Sequence, residues 1–436
     1  MSLTGKHIAI LGVGRSGRAA ALLALREGAT VSAWDAAGPQ AFANLPEGVE
    51  IHPNATEEDG RGLVSDLLVV SPGIDTYGPY VAAFSQNAGE VIGEVELAAR
   101  FYQGKIVGIT GTNGKTTTTE LVARILDHAG YGGAPCGNYG MPFAEVVLQP
   151  HPPAAVSLEL SSFQLETIRT LHPVVAIWLN FAPDHMDRYP TVEAYLAAKL
   201  RVFENQTAGD TAVVRGGEDL PPFAAKRVTF STTDPDADWF SNGHTILHGG
   251  ETWLDMDHDT GLRGLHNAEN AMAALAACQA FGISASTARE ALHGYAPPPH
   301  RCELIRTLDG VEYLNDSKAT NLHALESALR SQTRPVVLIA GGKDKGLDYS
   351  SVVPLLREKA LSTVTFGQIA RPLAALFSEA VPSESVATLA DAVTAARSLA
   401  PRGSTVLLSP GTSSFDQFSG YEQRGNSFRD LVHQLR

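Results

Sequence analysis

The sequence predicts an α/β protein of about three domains, on three observations. Its 436 residues are roughly three times a domain of about 150 residues. Short apolar, β-branched runs alternate with helical stretches at both ends of the chain, the pattern that builds parallel sheets. Two of those runs, at 8–11 and 106–110, open directly into a glycine-rich turn and then a helix. Hydrophobic content of 44% and charged content of 18% suit a globular chain with several buried cores.

The first unit spans 1–93. Ile8 to Leu11 is a strand, Gly12-Val13-Gly14-Arg15-Ser16-Gly17 the turn, and Ala19, Leu22 and Leu23 the inward face of the helix that follows. A second strand, Thr30 to Trp34, ends at Asp35; a third, Leu67 to Val70, ends at Ser71-Pro72-Gly73. G-x-G-x-x-G with an acid about 20 residues on is the dinucleotide fingerprint: close backbone approach to a pyrophosphate, plus a carboxylate for a ribose hydroxyl. It makes the unit Rossmann-like and leaves NAD open as the ligand, since such glycines also serve tight strand–helix packing.

Glu94 to Arg100 reads as a helix entering a second unit, 94–298, whose core motif is KIVGITGTNGKTTTT at 105–119. A strand, Ile106 to Thr110, feeds a glycine turn closing on Lys115 and Thr116, and apolar residues at 121, 122, 125, 126 and 129 mark a helix face. This is a P-loop arrangement. Backbone N–H groups and the helix N-terminus surround phosphate oxygens, Lys115 reaches the terminal phosphates, and Thr116 ligates Mg²⁺. The first glycine, Gly108, lies one residue early for strict Walker spacing, with Ile109 in its place. Two further strands, Ala155 to Leu158 and Val174 to Leu179, end near carboxylates. Glu159 is either a Mg²⁺ ligand or a strand-edge glutamate; Asp184 and His185 either hold a second metal or a phosphate, or are plain loop residues. The stretch Asp234 to Asp259 reads as surface hairpins, because His244, His248 and His258 show no recurring ligand spacing.

Pro297-Pro298-Pro299 is a stiff linker, and the alternation restarts in a third unit, 299–436, again Rossmann-like. Its strands are Val311 to Leu314, Val336 to Ala340, Val364 to Phe366 and Thr405 to Leu408; its helices include Val352 to Lys359 and Asp391 to Leu399. Ligands of open α/β sheets bind at the carboxyl ends of strands. Here those are Asn315-Asp316-Ser317-Lys318-Ala319-Thr320-Asn321, Gly341 to Asp348 and Ser409 to Phe418. Asp316 suits a ribose hydroxyl and Lys318 a phosphate; Gly341 to Gly346 is either a carboxylate cradle or a charged turn.

A formal net charge of −14 argues against nucleic-acid binding, which needs a basic surface. Three scattered cysteines give neither a disulfide framework nor a zinc pattern. No signal-peptide pattern or membrane-length apolar run is present, so a soluble cytoplasmic protein with no membrane insertion is expected.

Eight blocks in order, GTNGKTTT, LELSSFQLE, NFAPDHMDRYP, GLHNAENAMAAL, HRCE, NDSKATN, GGKDKG and SPGTSSFDQFSGYEQRGNSF, resemble the Mur ligases across essentially the whole chain. DHMDRYP, NDSKATN and the C-terminal block are similar to the D-glutamate-adding branch. The resemblance implies ATP-driven joining of D-glutamate to UDP-N-acetylmuramoyl-L-alanine through an acyl phosphate, for peptidoglycan synthesis, by a monomer. It implies ATP binding by Gly111, Thr112, Asn113, Gly114, Lys115, Thr116 and Thr117, with Asn270, Arg301, Asp316 and Lys318. Two Mg²⁺ ions are implied, one on Thr116 and Glu159, the other on His185 and a Lys199 carbamylated by CO₂; Lys115, Glu159, His185 and Lys199 form the implied catalytic set. Arg15, Ser16, Asp35, Gly73, Asn138 and His185 are implied to bind the UDP-substrate, so the fingerprint pyrophosphate is read as that of a UDP-sugar. Thr320, Lys345, Ser414, Phe415 and Tyr421 are implied to bind D-glutamate. The chain departs from the family at Tyr421 (usually phenylalanine), at Lys343 (often an acid), and in a His185-to-Lys199 spacing one residue short.

Overall fold

The computed structural model describes residues 2–186, 188–296 and 299–436; Asp187 and the Pro297-Pro298 part of the expected linker lie outside them. The chain forms two compact units, one of residues 1–260 and 267–294, the other of 261–266 and 295–436.

The first unit carries two sheets. Strands β1 (His7–Leu11), β2 (Thr30–Asp35), β3 (Val49–Pro53), β4 (Leu67–Val70) and β5 (Val91–Gly93) form a parallel sheet of order β3-β2-β1-β4-β5. The Leu-Leu-Val-Val of β4 is buried throughout, as befits a strand covered on both faces. The order reverses direction between β1 and β4, which opens a crevice at their carboxyl ends. Helix Arg15–Arg26 follows β1 at once. A Cβ on Gly17 would stand 1.8 Å from the Gly12 carbonyl oxygen, so no other residue fits this turn. Ala19 and Leu23 are buried as expected, but Leu22 is 44% exposed. Gly17, Ala20, Ala21 and Ala24 make the buried face instead, because the close strand–helix approach selects small side chains and leaves Leu22 on the other side.

The second sheet has nine strands: β6 (Lys105–Thr110), β7 (Ala134–Gly137), β8 (Ala155–Glu159), β9 (Val175–Trp178), β10 (Thr211–Arg215), β11 (Lys226–Ser231), β12 (Trp239–Ser241), β13 (Thr245–His248) and β14 (Glu251–Asp255). Their order is β14-β13-β12-β11-β10-β9-β6-β8-β7. Pairing is parallel from β7 to β12 and antiparallel across β12, β13 and β14, so the sheet is mixed. The expected hairpins are these last strands; their histidines pair with aspartates, His244 with Asp257 and His258 with Asp255.

One continuous core joins the two sheets of this unit, running from Ile10 and Ala20 through Leu97 and Phe143 to Val156 and Trp178. Each large side chain fully buried there contributes about 1.5–3 kcal/mol. A polar staple reinforces it. Glu96, wholly buried in helix Glu94–Ala99, accepts from the backbone N–H groups of Arg169, Thr170 and Leu171 and from the Thr170 hydroxyl, and pairs with Arg100 at 2.8 Å. Burial pushes its pKa up, but those donors outweigh burial and hold it below the usual value.

The second unit is built on β15 (Glu303–Leu308), β16 (Val311–Asn315), β17 (Val336–Gly341), β18 (Ala360–Phe366), β19 (Ser383–Ser385) and β20 (Thr405–Leu408), ordered β15-β16-β20-β17-β18-β19. All pairs are parallel except β15 with β16. β18 begins four residues before the expected Val364. The hairpin strand β15 was not legible because an edge strand that is only partly buried carries no apolar run.

Candidate functional site

The phosphate loop joins β6 to helix Lys115–His128. Gly111 and Gly114 have φ of +149° and +86°, a region open to glycine at little cost. Asn180, just after β9, holds the loop in shape. Its side-chain oxygen accepts the Asn113 N–H at 2.9 Å, its amide donates to the Asn113 carbonyl, and its own carbonyl accepts the Thr112 N–H. The Thr112 hydroxyl bridges to both backbone groups of Ala182. Asn180 appears in the NFAPDH block, yet sequence reasoning assigned it nothing; its position two residues past a buried strand is the signal that was there.

Two lysines meet on this loop. Lys115 Nζ donates to the Gly111 and Thr112 carbonyls, both at 2.9 Å, and Lys199 Nζ donates to the same Gly111 carbonyl at 2.8 Å. Lys199 lies on helix Val192–Leu200 and is 1% exposed. Burial, then the Lys115 charge, drive its pKa well below the ordinary lysine value. Burial and the neighbouring cation thus bias this amine toward its neutral form.

Glu159 ends β8, next to β6 in the sheet. One carboxylate oxygen accepts from the Asn138 side-chain amide at 2.7 Å; the other is buried and makes no hydrogen bond. Such an orphaned oxygen is costly, and a cation is a natural partner for it. A Cβ on Gly137 would stand 2.4 Å from the Glu159 carbonyl oxygen, so that glycine lets the Asn138 turn lie against the strand end. His185 follows β9 with φ +58°. Its ring is 3.8 Å from Asp184 and edge-on to Phe163, and Tyr195 lies near the rings of both His185 and Tyr189. Asn270, on helix Leu265–Gln279, reaches the Thr118 hydroxyl, and its side-chain oxygen would be 2.2 Å from a Cβ on Gly114. Strands β8, β6 and β9 are neighbours, so the sheet gathers the phosphate loop, Glu159 and the His185 turn at one end.

The candidate residues of the first sheet sit at its carboxyl edge. The Asp35 carboxylate accepts the Val13 N–H at 2.9 Å and the Ala37 N–H at 2.8 Å, so it shapes the glycine turn. Arg15 is exposed and donates to the Gly140 carbonyl at 3.0 Å, two residues from Asn138. Ser16 is half-buried, and Gly73 is exposed with open space where a Cβ would be.

In the second unit, Asp316, Lys318, Thr320, Lys345, Ser414 and Phe415 lie on loops after β16, β17 and β20, which are adjacent. Asp316 is buried; its carboxylate accepts from the Ser409 hydroxyl and the Cys302 N–H, and burial pushes its pKa up to about 7. Lys318 Nζ lies 3.9 Å above the Tyr421 ring, a cation–π contact. Lys345 Nζ reaches the Thr320 carbonyl at 3.4 Å. Ser414 is buried, whereas Phe415 is 65% exposed; Arg301 is half-buried beside the β15 hairpin. The organiser of these loops is Arg424, which lies in the C-terminal sequence block but carries no expected role. Fully buried, it donates to the Ser317 hydroxyl and carbonyl and to the Thr412 carbonyl, tying two of these loops together. Thus the expected nucleotide ligands divide, with Asn270 in the first unit and Arg301, Asp316 and Lys318 in the second.

Three family models match the chain: "Mur ligase MurD-like, N-terminal domain" over 6–93, "Mur ligase middle domain" over 109–278, and "Mur ligase, glutamate ligase domain" over 300–411. The chain is 42% identical to the UDP-N-acetylmuramoylalanine--D-glutamate ligase of Myxococcus xanthus, covering 100% of both chains. It is 39% identical to the enzyme of that name from Geobacter metallireducens, over 100% of this chain and 99% of the relative. Among solved structures, the MurF ligase of Thermotoga maritima in complex with ADP aligns with TM-score 0.61 and 15% identity, over 99% of this chain and 96% of that one. The UDP-N-acetylmuramate-alanine ligase of Thermotoga maritima aligns with TM-score 0.59 and 18% identity, over 98% and 99%. At those identities the structural likeness concerns the fold.

Proposed function

The chain belongs to the Mur ligase family, and on that premise we propose that it joins D-glutamate to UDP-N-acetylmuramoyl-L-alanine at the expense of ATP, a cytoplasmic step of peptidoglycan synthesis. The observation that carries the reading is the end-to-end likeness, at 42% identity, to a ligase named for D-glutamate addition. Three segments divide the work: 1–93 for the UDP-substrate, 94–298 for ATP, and 299–436 for the amino acid and part of ATP. Three sheets and three family-model matches support that division.

A carboxylate is a poor acylating agent, so it must first be activated. A carboxylate oxygen of the L-alanyl group attacks the γ-phosphorus, and ADP leaves with the electrons of the broken P–O bond. The D-glutamate amine then attacks the acyl carbonyl, phosphate leaves, and the amine gives up a proton. Anions meet anions at the first step, so positioning and cation screening dominate. Lys115 moves from its own loop carbonyls to the β- and γ-phosphates as they arrive. Mg²⁺, when bound, screens the phosphate charge. Thr116 with the orphaned oxygen of Glu159 would hold one ion, and His185 with Lys199 a second. Mg²⁺ keeps waters and phosphate oxygens as ligands and so needs few side chains. The Lys199 amine, biased by burial toward its neutral form, is suited to attack CO₂, forming an N–C bond and releasing a proton, which would turn the side chain into an anionic carbamate ligand.

Arg15, Ser16, Asp35, Gly73, Asn138 and His185 contact the UDP-substrate; Gly111 to Thr117 with Asn270, Arg301, Asp316 and Lys318 hold ATP; Thr320, Lys345, Ser414, Phe415 and Tyr421 hold D-glutamate. The enzyme acts as a monomer. Among the described residues no helix is long and apolar enough to cross a membrane. The test is phosphate release from ATP and Mg²⁺ with UDP-N-acetylmuramoyl-L-alanine, comparing D-glutamate with L-glutamate, L-lysine and no amino acid. Release that requires D-glutamate, with a product one glutamyl unit heavier, is expected; release indifferent to the amino acid refutes the assignment.

A further inference from the structure

We propose that Arg188 is a positioning residue for the nucleotide-sugar substrate: it clamps the Gly73 loop of the first sheet to the His185 turn of the second. The proposal rests on the reading above for the identity of the substrate, while the clamp itself stands on geometry. The Arg188 guanidinium donates to the carbonyls of Pro72 at 2.9 Å and Ile74 at 3.0 Å, the two residues on either side of Gly73. It also reaches the Thr76 hydroxyl at 3.4 Å. From behind, it pairs with Glu166 at 3.2 Å and lies 3.9 Å from the Phe163 ring centroid. Glu166 is itself buried and accepts the Tyr189 hydroxyl at 2.5 Å. The other end of the clamp is the metal-side turn, for the His185 carbonyl accepts the N–H groups of both Arg188 and Tyr189 at 3.0 Å.

Packing of this loop is incomplete on one side. A small cavity is lined by Ser71, Pro72 and Thr76 together with Phe163, Gln164 and Thr167, and Gly73 faces open space. Arg188 spans the gap with a planar fork that grips two carbonyls at once; a lysine ammonium offers donors from a single point. Ahead of the clamp, the loop meets the glycine turn. The Ser71 hydroxyl donates to the Gly12 carbonyl at 2.8 Å, and a Cβ on Gly12 would press within 2.8 Å of Ile74. Arg188 therefore sets, in one chain of contacts, the spacing between the pyrophosphate turn, the Gly73 peptide groups and His185. A ligand spanning the three pays for any loosening in its own binding, whereas Asn180 holds the phosphate loop directly.

The test compares wild type, Arg188→Met and Arg188→Lys by steady-state kinetics and by amide hydrogen exchange without ligands. Arg188→Met is expected to raise KM for UDP-N-acetylmuramoyl-L-alanine about tenfold or more while KM for ATP stays within about twofold, with faster exchange confined to the 71–76 loop. Arg188→Lys is expected to fall between, and it carries the test if the methionine variant does not fold. Equal rises in both KM values with a general loss of protection mean a merely structural residue and overturn the proposal. So does an unchanged KM for the nucleotide-sugar. Wild-type enzyme that makes no product from this substrate counts against the functional reading instead, and exchange at 71–76 then decides the clamp separately.

Discussion

Replacing Gly114 by alanine measures the steric demand of the phosphate loop, because the same helix supplies its own control. Gly114 and Gly130 flank helix Lys115–His128 with nearly equal φ, +86° and +85°. A Cβ at Gly130 meets nothing within 4 Å, whereas one at Gly114 stands 2.2 Å from Asn270 Oδ1 and 3.2 Å from its Cγ. Both substitutions carry the left-handed backbone cost of about 1–2 kcal/mol, offset by about 0.4–1 kcal/mol from a stiffer unfolded chain. Gly130→Ala should therefore destabilise by about 1 kcal/mol. Gly114→Ala must in addition push aside a buried asparagine, giving up its 3.4 Å contacts to Thr118 and Asn267. Displacing buried polar groups and overpacking each cost about 1–3 kcal/mol, so a further 2–6 kcal/mol or so is expected. Urea unfolding at unchanged m-value reads the difference, and KM for ATP should rise in Gly114→Ala alone. Two variants within about 0.5 kcal/mol of each other, with equal KM values for ATP, would refute the steric argument.

Glu96→Gln leaves the donors of Arg169, Thr170 and Leu171 without their anion and Arg100 short of a partner; a loss of about 3–5 kcal/mol in urea unfolding is expected. Glu94 and Asp316 are buried carboxyls, each pushed by burial up to about 7. Their pKa values are raised above those of the unfolded chain, so the stability they contribute is fully present below about pH 4 and is lost as pH rises toward 7. Glu94→Gln or Asp316→Asn should remove part of that fall, about 1.4 kcal/mol per pH unit at its steepest for each group, in unfolding measured from pH 4 to 8. Stripping CO₂ should lower wild-type turnover, and bicarbonate should restore it; turnover of wild type indifferent to CO₂ would remove the case for a carbamate at Lys199.

Local chemistry made much of this protein legible. A β-branched run, a glycine turn and a helical face are neighbours in the chain, so the turns opening at Gly12 and Gly111 were legible from the residues alone, although the helices start earlier than the motifs suggest, at Arg15 and Lys115. The placement of Glu159 at a strand end, next to the phosphate loop, also followed from a short apolar run and its last residue. The first turn shows the limit of this reasoning. Gly17 is required by the Gly12 carbonyl whatever ligand the loop binds, so the fingerprint speaks of close packing and a pyrophosphate, and leaves open which molecule carries it.

What the tertiary structure decided lies in contacts between residues far apart in sequence. Lys199 reads as an ordinary helix lysine until its amine is found buried on the carbonyl of Gly111 beside Lys115. Asn180 and Arg424 look like loop and helix polar residues until the first is seen bonded to Asn113 and the second to Ser317 and Thr412. Arg188 is one basic residue among many until its guanidinium brackets Gly73. Periodicity reports which face of an element is buried, because burial repeats with the turn of the helix or the pleat of the strand. It carries no record of which distant carbonyl a buried charge will meet, since that is set by the packing of whole sheets.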